Sequence, residues 1–109
     1  MELWILIEEK QKQLDKAIDT LAANGYDLSK KEREYKVALN KKALELRANE
    51  MPVTLINQVI YGYDDIAELR FARDNAQVKY NANLEYIATI KLNIRILESQ
   101  LSREWSNNK

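Results

Sequence analysis

No cysteine and no histidine occur in the 109 residues. Their absence removes disulfides, thiol nucleophiles, zinc sites of the Cys/His kind and the commonest general base. Glycine occurs twice and proline once, too few turn-formers for a sheet-and-turn architecture. Charge of one sign is not in excess: 17 Lys and Arg balance 17 Asp and Glu, so no overall field draws the chain to nucleic acid or to an anionic membrane. Long apolar runs are missing too. The run Leu3-Trp4-Ile5-Leu6-Ile7 is bounded by Glu2, Glu8 and Glu9, the wrong flanks for a signal peptide. No run approaches the ~20 apolar residues of a membrane span. The composition predicts an all-α cytosolic protein with no membrane partner, in one helical domain over residues 1–109.

What is present is helical periodicity. From Asp64 to Trp105 there is no Gly or Pro, and one side carries Ile66, Leu69, Ala72/Arg73, Ala76, Tyr80, Asn83/Leu84, Ile87, Ile90, Ile94, Leu97, Leu101 and Trp105. Steps of three and four residues mark a helix buried along one stripe. Asp64, Asp65 and Glu68 stand where the first amides and the positive dipole end favour carboxylates. The expected architecture is a coiled-coil-like bundle: a helical hairpin, a short helix and one very long C-terminal helix, over about 2–24, 30–50, 54–61 and 64–105.

The boundaries come from local signals. Leu3, Ile7, Leu14, Ala17/Ile18 and Leu21 share a face, with Lys10 interrupting it and laying its methylenes in the groove. Trp4, Ile5 and Leu6 add apolar surface for a neighbouring helix or a second subunit. Gly25, after Asn24, predicts a left-handed cap and a turn at Asn24 to Leu28. Ser29-Lys30-Lys31-Glu32 has the form of a capping box opening a second helix that buries Tyr35, Ala38/Leu39, Ala43 and Leu46. Residues 1–28 carry three Lys against six acids, and residues 29–47 seven basic residues against three Glu, a contrast that favours an antiparallel hairpin. Pro52 then breaks the pattern, Thr54 caps a short helix Leu55 to Tyr61, and Gly62 ends it. Ser106 to Lys109 reads as a polar tail.

Certain stretches, namely Ala43-Leu44-Glu45-Leu46-Arg47, Glu50-Met51-Pro52-Val53-Thr54-Leu55-Ile56, Gly62, Ala67 to Asp74, and Leu92 to Trp105 with its Arg103-Glu104-Trp105 end, resemble a family of small proteins of phages and prophages of Gram-positive bacteria. The resemblance spans nearly the whole chain. It implies a phage product in the bacterial cytoplasm and carries over no chemistry and no site residue.

Function follows from what the helices offer. Carboxylates on amphipathic helices form solvated faces, and no Glu-x-x-His set converges on a metal, so the sequence predicts no enzyme and no cofactor. The long helix outreaches its neighbours, which predicts a homo-oligomer, a dimer by default, and an interaction surface at Tyr80, Tyr86, Ile87, Ile90, Ile94, Leu97, Leu101 and Trp105. The expected role is a protein–protein interaction module. It would be an adaptor of replication or recombination, or an inhibitor of a host-defence protein such as an anti-CRISPR. The alternative is a nucleic-acid-binding accessory protein using Lys30, Lys31, Arg33, Lys36, Lys41 and Lys42 with Tyr35 among them. A helix-turn-helix over Ala43 to Gly62 would offer only Asn57, Gln58 and Tyr61 to base edges.

Overall fold

The computed structural model describes residues 2–107. Helix α1 is Glu2–Ala48, α2 is Val53–Val59 followed by a single 3-10 turn at Ile60–Gly62, and α3 is Asp64–Asn107. No strand occurs among the described residues. The long C-terminal helix and the all-α class stand as the periodicity dictates. Ser106 and Asn107, expected in a tail, continue α3, and residues 108 and 109 lie outside the described residues.

One expectation is overturned. No turn forms at Asn24 to Leu28, so there is no hairpin of helices 2–24 and 30–50: α1 is one helix of 47 residues. No glycine has positive φ, so Gly25 is not a left-handed cap. The reason lies in the phase of the seam. Leu3, Ile7, Lys10, Leu14, Ala17, Leu21, Asn24, Leu28, Lys31, Tyr35, Ala38 and Lys42 step by four and three without a slip, and all are buried or half-buried. A helical glycine costs about 1 kcal/mol relative to Ala, less than two helices would lose by breaking a seam already in register. The Ser29/Glu32 capping box is therefore mid-helix, and Glu32 pairs with Lys36 one turn on, at 3.4 Å. Ser29 is exposed, so Ser29→Ala is expected to change stability by no more than about +0.5 kcal/mol, through propensity alone. A loss near 1 kcal/mol in thermal melts would restore the cap.

The true end of α1 is a Schellman turn. Glu50 adopts φ 68, the amide of Met51 donates to the Leu46 carbonyl at 3.1 Å, and that of Glu50 donates to the Arg47 carbonyl at 3.0 Å. Met51 packs on the cluster that holds Leu46, the apolar contact this motif favours. A left-handed glutamate carries a steric penalty that glycine lacks. Glu50→Gly should raise stability by about 0.5–1 kcal/mol, read from the denaturation midpoint.

Pro52, extended at φ −61 and ψ 145, is the N-cap of α2, and its carbonyl accepts from the Ile56 amide at 3.0 Å. Thr54 is thus inside α2 and caps nothing; the helix starts two residues earlier than the hydroxyl suggested because proline's fixed φ suits a helix entry. At the start of α3, the Tyr63 carbonyl accepts from the Ala67 amide at 2.8 Å and Asp65 Oδ1 accepts from the Ile66 amide at 3.0 Å. From there Ile66, Leu69, Arg73, Ala76, Tyr80, Asn83, Ile87, Ile90, Ile94, Leu97 and Leu101 form an unbroken buried or half-buried seam. Leu84 and Trp105, placed on this stripe by the sequence, are 42% and 68% exposed. They lie just off its edge.

The chain forms two compact units, each with its own apolar cluster. Unit 1 joins residues up to Ala23 with those from Tyr80 onward. Here α1 and α3 run antiparallel: Ile87, Ile90 and Ile94 close on Ala17, with Leu14 and Leu21 against them. Asn83 is buried, and its Nδ2 donates to the Ala17 carbonyl at 3.0 Å. Unit 2, Asn24–Lys79, is built at the corner: Leu46, Ile56 and Ile60 pack together under Leu39, Ala43, Met51 and Tyr63. Tyr35 is buried there beneath the Arg73 guanidinium, 4.8 Å from its ring centre.

Candidate interaction surfaces

Of the residues expected on an interaction surface, Ile87, Ile90 and Ile94 are buried core of unit 1, and Tyr80, Leu97 and Leu101 are half-buried. The N-terminal part of α1 covers the seam that looked uncovered, because α1 is long enough to reach it. Ile87, Ile90 and Ile94 are therefore covered within unit 1 by Ala17, Leu14 and Leu21. Tyr86 and Trp105 do remain exposed, at 52% and 68%.

Trp105 belongs to a feature that the sequence did not assemble. Within unit 1, Trp4, Ile7 and Gln11 on α1 face Glu98, Leu101, Ser102 and Trp105 on α3 across a groove of about 540 Å³. Ile7 is buried beneath it and Leu101 half-buried, so the floor is apolar; both tryptophans stand more than half exposed at its rim. The sequence marks Trp4 as apolar surface, but its pairing with a residue about a hundred positions away depends on the antiparallel register. A smaller cleft of about 170 Å³ lies where Tyr86 meets Gln13, Lys16, Ala17, Thr20 and Asn83.

The basic residues do not converge. Lys36 is engaged with Glu32, and Lys31 is half-buried. Lys42 lies in the seam, its Nζ 3.1 Å from Asp65 Oδ2 and 4.9 Å over the Tyr63 ring. Arg33 and Lys41 flank a groove of about 390 Å³ with Glu34, over Val37, Ala38 and Leu69, while Lys30 is exposed elsewhere on the helix. Tyr35, expected among these cations, is core and offers no ring to a base. In the helix-turn-helix-like corner, Ile56 and Ile60 point into the cluster, as their apolar character requires, and one face of Tyr61 is taken by the Arg70 guanidinium at 5.1 Å. Asn57 and Gln58 are exposed.

The Lys42–Asp65 pair gives unit 2 a pH dependence. The hydrogen bond from Lys42 holds the Asp65 carboxyl below its ordinary value, and the same bond holds the Lys42 ammonium above its own. A depressed carboxylate stabilises above its unfolded pKa and loses that contribution as pH falls through the folded value. A raised ammonium stabilises below its unfolded pKa and loses it as pH rises through the folded value. The pair therefore acts between about pH 4 and about pH 10.5. The stability difference between wild type and Asp65→Asn should be flat across that window and shrink at both ends. A difference that grows on acidification would refute the pairing.

Among the described residues no three Asp or Glu side chains form a group able to hold a metal ion, and no helix is long and apolar enough to cross a membrane. Comparison with protein-family models, with curated proteins and with solved structures finds no match to any of them.

Proposed function

We propose that this protein is a non-enzymatic protein–protein interaction module that engages its partner through the Trp4–Trp105 groove of unit 1. The groove carries this reading: two exposed indoles flank an apolar floor, with Gln11, Glu98 and Ser102 supplying polar contacts within it. Tryptophan anchors inserted in such settings dominate binding energies, and a rim of mixed polarity orients the partner. The dispersal of the lysines and the burial of Tyr35 weigh against the nucleic-acid alternative. Resemblance to phage proteins of Gram-positive bacteria adds the setting: a phage product in the host cytoplasm whose partner is a host or phage protein, as an adaptor of replication or recombination or as an inhibitor of host defence.

The test is affinity capture from a Gram-positive host lysate with wild type and with Trp4→Ala and Trp105→Ala. A protein retained by wild type should be lost from both variants, a truncated anchor costing on the order of 2 kcal/mol or more. Equal retention by all three, or capture of nucleic acid alone, would overturn the reading.

A further inference from the structure

The chemistry of the Trp4–Trp105 groove, which lies wholly within unit 1, narrows what fits into it. Glu98 is the one charged side chain among the described residues that line it. It is exposed and makes no ion pair among the described residues. A second exposed carboxylate, Glu8, stands one turn beyond Trp4 on α1. Arg95, one turn before Glu98 on α3, is not part of the lining and forms no ion pair with it. The two indoles carry negative potential on their ring faces and stand more than half exposed. The groove therefore offers π faces and an uncompensated carboxylate above an apolar floor of Ile7 and Leu101.

We infer that the occupant is an arginine side chain of the partner protein, an assignment that rests on the groove being the docking surface. Arginine meets each requirement: its methylene stem lies along Ile7 and Leu101, its guanidinium stacks on an indole, and its planar fork donates to the Glu98 carboxylate. Lysine brings the charge without the fork or the stacking plane. An aliphatic or aromatic side chain would fill the floor but strip water from Glu98 and return no hydrogen bond. A partner carboxylate or a phosphate would meet Glu98 as like charge against like, which disfavours acidic segments and nucleic acid alike.

Trp4 and Trp105 are the only tryptophans in the chain, so the indole fluorescence of the intact protein reports this groove directly. The probe is the peptide acetyl-Leu-Arg-Leu-Arg-Leu-amide, titrated beside the same peptide with citrulline, which keeps the shape of arginine and removes its charge, and with glutamate. The arginine peptide should give a saturable change that weakens with salt, the citrulline peptide should bind roughly tenfold more weakly, and the glutamate peptide should not bind. Glu98→Gln should weaken the arginine peptide about fivefold and leave the citrulline peptide as it was. Trp105→Leu keeps an apolar side chain and removes the ring; it should cost the arginine peptide roughly tenfold, with Trp4 as the remaining reporter. Arg95→Gln should leave that affinity unchanged or raise it.

Equal binding of the arginine and citrulline peptides, preference for the glutamate peptide, indifference to Glu98→Gln, weakening by Arg95→Gln, or no saturable change at all would each overturn the assignment. The groove itself is judged separately by the lysate capture. A partner lost from Trp4→Ala and Trp105→Ala but retained undiminished by Glu98→Gln would keep the groove and reject arginine as its occupant.

Discussion

Ile90→Ala is expected to lower unfolding free energy by about 3 kcal/mol, within the 2–5 kcal/mol of fully buried large-to-small changes. Ile90 is 1% exposed, at the centre of the Ala17, Ile87 and Ile94 cluster. Removing its three outer carbons forfeits their transfer from water and leaves a cavity that rigid helices close only in part. Leu92, two residues on and 49% exposed, is the internal control: Leu92→Ala should fall within about 0.5 kcal/mol. Denaturant titration of the two variants separates the possibilities. Equal losses would mean that α1 does not cover this part of α3.

Lys30→Pro should be as damaging, at about 3 kcal/mol or more, and the reason lies in the backbone. If a helix began at Lys30, proline would sit at its first position, where its fixed φ and missing amide are favourable. Inside α1 it deletes the bond to the carbonyl four residues back and its ring collides with that turn. Lys30 is exposed, so little side-chain packing is lost, and Lys30→Ala serves as control at little cost. Melts in which Lys30→Pro matches Lys30→Ala would reinstate the turn at Asn24 to Leu28.

Two real local signals lie inside α1 without breaking it. Gly25 is a poor helix residue, and Ser29 with Glu32 has the spacing of a capping box. Each is a local preference of order 1 kcal/mol, and the seam is a global one. Counting Lys10, Asn24 and Lys31 as seam positions, rather than only the apolar residues, would have shown the step of three and four running straight through Gly25. The α3 stripe was legible from Ile66 to Leu101 because nearly every seam residue there is apolar or large. The corner was legible from Pro52, yet its left-handed residue was not, since Glu50 is a type that seldom adopts that conformation. The Trp4–Trp105 groove was invisible for a different reason: it exists only once two ends of the chain are in antiparallel register, and no local pattern encodes that.

The division of the chain bears on how it folds. Unit 2 is a continuous stretch, Asn24–Lys79, whereas unit 1 must bring residues up to Ala23 together with residues from Tyr80 onward. Closing the corner engages Leu46 with Ile56 and Ile60 across a short span of chain, so its contact order is low; engaging Ala17 with Ile87 and Ile90 requires the ends of the whole intervening segment to meet. Once unit 2 has formed, the span that the unit 1 contacts must close is already shortened. Folding should therefore nucleate at the Pro52 corner, with the contacts of Ala17 to Ile87 and Ile90 in unit 1 forming later. During synthesis the earlier partner of each unit 1 contact waits longest for the other, and the residues that wait are the apolar ones beginning with Leu3.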